Sequence, residues 1–110
     1  GTTQTLIAAN LVSGVVLLNA GASGPLTATL PKTGDIIAAL PASVPLDGTY
    51  HERITFVNNG IGQPATLVVG DGGTTIIGPA IIGSNVARTY LMRVLGSASI
   101  SLQNLGQLPL

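Results

Sequence analysis

Polar and apolar side chains alternate most clearly from Tyr50 to Val57, between Asp47-Gly48 and Asn58-Asn59-Gly60. Successive side chains of a strand point to opposite faces. Tyr50, Glu52, Ile54 and Phe56 therefore share one side, and His51, Arg53, Thr55 and Val57 the other. The flanking Asp-Gly and Asn-Asn-Gly are turn chemistry. A second long run, Val86 to Leu95, sets Val86, Arg88, Tyr90, Met92 and Val94 against Ala87, Thr89, Leu91, Arg93 and Leu95. Shorter runs predict strands at Leu26–Leu30, Ala65–Val69, Thr74–Ile77, Ala80–Ile82 and Ser99–Gln103, each bounded by Gly, Pro or Asn.

The first twenty residues are less regular. Thr2–Ala9 alternates loosely before turning apolar, and Val15–Leu18 is a continuous apolar run suited to a strand covered on both faces. They are expected to form the first two strands of the chain's own sheet, or an arm that adds to a neighbouring subunit by strand addition. Residues 1–20 are accordingly set apart from a β-sandwich domain at 21–110, with a loop at Asn19–Pro25. One helix is predicted at about residues 33–40: Thr33 to cap it, Asp35 in the first turn, Ile36, Ile37 and Leu40 on one face, and Pro41 to end it. The tail Leu105–Leu110 is apolar and is expected to dock on something. About eight short strands with turn signals spaced as in sandwiches and barrels predict an all-β, jelly-roll-like antiparallel β-sandwich.

Charge changes this picture. Only 7% of the residues are charged and the net charge is zero, against roughly 25% charged residues in an average soluble domain. Much of the surface must then be covered by other polypeptide, or hydrated by Ser, Thr, Asn and Gly, or both. Lys32, Arg53, Arg88 and Arg93 are balanced by Asp35, Asp47, Glu52 and Asp71, so no electrostatic footprint for nucleic acid exists. The absence of cysteine excludes disulfides and thiolate metal sites. Asn10, Ser13, Gly14 and Asn19 interrupt the uncharged N-terminal stretch, so no membrane span is expected there.

Candidate chemistry is sparse. His51 and Glu52 point to opposite faces of a strand and cannot act together from it. His51 shares a face with Arg53, but no triad or metal spacing accompanies it. Asp47 and Asp71 sit in glycine-adjacent turns, where Asp serves the backbone. Gly70-Asp-Gly-Gly73 lacks the Lys-Ser/Thr of a phosphate loop and reads as a hairpin turn. Glu52, on the apolar side of its strand, calls for a partner, and Arg88 is the nearest choice by pattern. No enzymatic activity, cofactor or metal is expected.

The segment Thr33-Gly-Asp-Ile-Ile-Ala-Ala-Leu-Pro41, then Gly48-Thr-Tyr-His-Glu-Arg-Ile-Thr-Phe-Val-Asn58, Ala65-Thr-Leu-Val-Val-Gly-Asp-Gly-Gly73 and Thr89-Tyr-Leu-Met-Arg-Val94, resembles small virion proteins of tailed bacteriophages. The likeness is to capsid decoration (cement) proteins and related head or tail appendage domains, over roughly residues 26–103. It implies a β-rich structural protein, commonly a homotrimer, made in the host cytoplasm and bound to the capsid exterior. There it would bridge major capsid protein subunits. It carries no catalytic residues. A receptor- or glycan-binding fibre domain is the alternative, and a small hydrolase a more distant one. On the covered-surface argument, contact residues are expected at Leu6, Ile7, Val15, Val16 and Leu17 of the N-terminal segment. Leu91 and Arg93 are expected on the second long strand, and Leu108 and Leu110 in the tail.

Overall fold

A four-residue strand cannot bury an apolar face by itself, and this chain compensates by crossing between two sheets at nearly every step. The computed structural model describes residues 2–19, 24–59 and 62–110. The expected loops reach into 20–23 and 60–61, which lie outside the described residues, as does the expected boundary between residues 20 and 21. In chain order the elements are β1 (Thr2–Thr5), α1 (Ala8–Val12), β2 (Val15–Leu18), β3 (Leu26–Thr29), α2 (Thr33–Ala39), β4 (His51–Asn58), β5 (Ala65–Val68), β6 (Thr74–Ile77), β7 (Ile81–Ile82), β8 (Val86–Gly96) and β9 (Ser99–Pro109). One sheet has the order β1-β3-β5-β7, the other β2-β4-β8-β9-β6.

The fold is β-rich with two sheets, as expected, but the sheets are mixed rather than antiparallel. The ladders β1/β3, β2/β4, β3/β5 and β6/β9 are parallel; β4/β8, β5/β7 and β8/β9 are antiparallel. The cause is the winding. In β1/β3, β2/β4 and β3/β5 the chain crosses to the far sheet and returns to lay its next strand in the same direction, with the crossing segment as the connection that parallel pairing requires, whereas β5 and β7, also separated by one crossing, pair antiparallel. The expectation of jelly-roll ladders assumed hairpins between neighbours. Among the described ladders the one joining consecutive strands is β8/β9, and this hairpin is inserted between β4 and β6.

One apolar core lies between the sheets. The first passage contributes Leu6, Leu11, Val16 and Leu18, the second Leu26, Ala28, Leu30, Ile36, Ile54 and Phe56, and the hairpin Tyr90, Met92, Val94, Ile100 and Leu102. Each large aliphatic or aromatic side chain fully buried in this way contributes about 1.5–3 kcal/mol. Phe56 meets Tyr90 edge to face, with ring centres 5.5 Å apart, and the Tyr90 hydroxyl donates to Pro79 O at 2.7 Å. Leu6 and Val16, expected to face a partner, are instead buried in this core, because β1 and β2 pair with β3 and β4 of their own chain.

The helices occupy crossings. α1, unexpected from the sequence, is a single turn that buries Leu11. Asn10 is part of its mechanism rather than a break: its Oδ1 accepts the Ile7 N–H at 3.1 Å. α2 falls where expected, but Thr33 is its first residue and not its cap. The Thr33 N–H is taken by Asp71 Oδ2 at 3.2 Å, from a turn far along the chain. The Thr33 hydroxyl donates to Asp71 Oδ1 at 2.5 Å. Its one hydrogen is thereby spent, so in the 2.7 Å contact with Thr74 Oγ1 the Thr74 hydroxyl is the donor. Thr33 and Thr74 are both buried, and this chain of bonds fixes the start of α2 to the turn before β6.

The tail docks on β8 of its own chain, and the last strand is longer than expected. Residues Asn104–Pro109 continue β9 along β8, well past the expected end at Gln103. Gly106 pairs with Thr89 and Asn104 with Tyr90, so Leu105 is an extra residue, a β-bulge. The Gly106 N–H, at φ +119°, is held by Asn104 Oδ1 at 2.7 Å.

Candidate interaction surface

Chemistry-bearing residues do not converge. His51 and Arg53 are exposed on the outer side of β4, as their alternation predicts, while Glu52 points inward and is half-buried. Glu52 Oε2 accepts from the Tyr50 hydroxyl at 3.0 Å, and burial is the main cause that raises the Tyr50 hydroxyl above its ordinary value. The expected Glu52–Arg88 pair does not form. Glu52 stands opposite Met92, whereas Arg88 stands opposite Phe56, four residues further along β4, roughly 13 Å away at strand rise. Arg88 Nη2 binds Gln107 Oε1 at 2.7 Å instead. Glu52 Oε1 and Arg88 Nε are buried and have no hydrogen-bond partner among the described residues.

The other carboxylates serve the backbone. Asp47 Oδ1 accepts the Thr49 hydroxyl at 2.6 Å and the Thr49 N–H at 3.1 Å, and these bonds hold its acid below the usual carboxylate value. The Thr33 hydroxyl, and after it the Gly73 N–H, do the same for Asp71. The Gly70–Gly73 turn is tight because it lies against other backbone. A Cβ on Gly70 would sit 2.5 Å from Leu30 O, and one on Gly73 2.6 Å from Ala98 O. Gly70 and Gly73 answer to that close approach, not to a phosphate. Among the described residues no group of three or more His, Cys, Asp or Glu could hold a metal, and no helix is long and apolar enough to cross a membrane.

Two surface depressions accompany the winding. One, about 290 Å³, is lined by Ile37, Leu40, Pro41, Val44 and Leu46 after α2. The other, about 440 Å³, lies between the first two passages beside Leu6, Leu30, Lys32 and Asp35. Neither gathers polar groups of a reactive kind.

What the structure does gather is an outer face on the five-stranded sheet. Register puts Leu17 of β2, Val57 of β4, Ala87 of β8 and Leu108 of β9 in one row across four strands. Leu17 is 66% exposed and Leu108 72%, and Val15, 57% exposed, adjoins them. The next row carries Thr55 and Thr89, whose hydroxyls meet at 3.0 Å. Beyond it, Arg53 stands opposite Leu91, and His51 opposite Arg93. Of the expected contact residues, Val15, Leu17, Leu91, Arg93 and Leu108 thus lie on a single face. Ile7 and Leu110 are exposed as well.

The free edge of β2, which strand addition would use, is partly occupied. Gly14 O and the groups in phase with it face β4, so Leu17 O and Asn19 N face away. Gln4 Nε2 donates to Leu17 O at 3.2 Å and Gln4 Oε1 accepts from Asn19 N at 2.8 Å. The Gln4 amide acts as a one-residue strand, bridging the edges of the two sheets and blunting this one. Sequence reasoning missed Gln4 because it stood at an ordinary polar position of an alternating run.

Comparison with family models, with curated proteins and with solved structures finds no match to the chain.

Proposed function

We propose that the protein is a structural virion component that binds the outside of a bacteriophage capsid and stabilises it by bridging major capsid protein subunits. It acts by surface contact and not by catalysis. The observation that carries this reading is the outer row Leu17–Val57–Ala87–Leu108, its two leucines largely exposed, on a chain with very few charges. A contiguous apolar strip on a sheet face marks a surface used for interaction. The resemblance of residues 26–103 to decoration proteins supplies the kind of partner, and with it a homo-oligomer, a trimer by the same likeness. Repetition around a shell makes many weak contacts effective, since each copy that bridges two subunits raises the work needed to separate them.

The test is light scattering of the purified protein, followed by co-sedimentation with capsid shells that lack it. An oligomer that binds shells saturably is expected, with shells becoming more resistant to heat. A dilution-resistant monomer that leaves shells unchanged would overturn the proposal.

A further inference from the structure

The outer face of the five-stranded sheet is divided by charge as well as by hydropathy. Of the four basic residues in the sequence, Arg53 and Arg93 both lie on it. They are diagonal neighbours across β4 and β8, with Cβ atoms about 7 Å apart. Both are exposed, and among the described residues neither guanidinium has a hydrogen-bond or ion-pair partner. His51 stands opposite Arg93 on the same face. Glu52 is the one carboxylate within the strands of this sheet. Asp35 is on α2, Asp47 and Asp71 are bound within turns, and Glu52 points inward. A chain with zero net charge thus presents one face that is cationic at one end and aliphatic at the other. Two like charges side by side on a sheet oppose folding slightly, and an anion placed against both relieves that.

The geometry points to this face as a docking surface for an acidic, aliphatic protein surface, with partner carboxylates on Arg53 and Arg93 and partner aliphatic side chains on Leu91, Val15, Leu17 and Leu108. The inference rests on the capsid-binding reading and names the face and the partner's chemistry. A second copy does not fit. Two such faces packed with strands aligned set arginine over arginine, and packed with strands reversed they set arginine over leucine. Nucleic acid fits poorly too, because two arginines neutralise few phosphates and half the face offers a polyanion nothing.

The test compares the wild type with Arg53→Glu/Arg93→Glu, and with Thr3→Glu/Thr27→Glu as a control on the other sheet. Co-sedimentation with capsid shells is measured across a salt series, and circular dichroism checks that each variant is folded. Wild-type binding should weaken with salt, the arginine variant should bind about tenfold or more weakly, and the threonine variant should match the wild type. Shells that bind the wild type and the arginine variant equally overturn this face and leave the capsid reading standing. Shells that bind no form overturn both. Equal losses in the two variants overturn the face as well. So does an oligomer that the arginine variant dissolves, which would make the face a self-interface. Salt-sensitive binding of a DNA oligonucleotide by the wild type, lost in the arginine variant, would assign the face to nucleic acid and overturn the inference.

Discussion

The two sheets turn very different outer faces to their surroundings. On the four-stranded sheet, Thr3 stands beside Thr27 and Thr27 beside Thr66, and Thr5 stands beside Thr29. Hydroxyls cover that face, and Val68 and Ile81 adjoin them near the β7 edge. On the five-stranded sheet the corresponding positions hold Val15, Leu17, Val57 and Leu108, together with two unpaired arginines. A low charge content left two ways to keep such a chain in solution, hydration without ions or cover by another protein. The molecule places hydroxyls on one sheet and exposed aliphatic side chains on the other, the one that the proposed partner would cover. One compositional number conceals two surfaces of different chemistry.

Under this division stability resides between the sheets and recognition outside one of them, and substitutions should separate the two. The largest effect is expected for Phe56→Ala, beneath the five-stranded sheet. Phe56 is fully buried against Tyr90, and its truncation should lower unfolding free energy by about 3–5 kcal/mol in urea titrations. A loss under 1 kcal/mol would mean that the sheets are not packed as described.

Next comes Thr33→Val, which removes the hydroxyl bond to Asp71 while keeping the backbone one, and leaves the Thr74 hydroxyl buried without its acceptor. It should cost about 1–3 kcal/mol. It should also change the acid response. The Asp71 acid is lowered in the folded state, first by the Thr33 hydroxyl. Its contribution is therefore present above the ordinary carboxylate value and is lost as pH falls through the lowered folded value. Denaturation midpoints measured through that acidic range should fall less steeply in Thr33→Val than in the wild type.

The smallest stability effects are expected on the outer faces. Leu17→Ser/Leu108→Ser and Thr3→Ser/Thr27→Ser should each change stability by no more than about 0.5 kcal/mol per site. They should part company in binding: the leucine pair should lose shell association and gain solubility, and the threonine pair should do neither. Equal behaviour of the two pairs would erase the distinction between the faces.

The sequence already showed which side chains of β4 and β8 share a side, because a period of two in strands of eight and eleven residues leaves little choice. It could not show that Arg53 and Arg93 are neighbours, since that depends on the register between strands some forty residues apart. Leu6 and Val16 looked like contact residues because they sit in short apolar runs, and only docking of the first passage makes them core. α1 escaped notice because one turn that buries one leucine leaves no periodic signature. Thr33 was expected to cap α2 but is its first residue, bonded to Asp71, a partner that no local rule identifies. Mixed sheets were illegible for the same reason: alternation is identical in parallel and antiparallel strands.

Between its pairings with Tyr90 and Thr89, β9 has one link more than β8. Plain alternation from Ile100 and Leu102 would carry Leu108 to the inner side, and the spare link at Leu105 returns it to daylight beside Ala87. Deleting Leu105 would shorten the protein without rolling the following residues over, whereas a deletion between Ile100 and Gln103 would roll them all unless the spare link were drawn in to absorb the error. The tail is thus buffered against one mistake in length, at the place where its outward-facing leucine is decided.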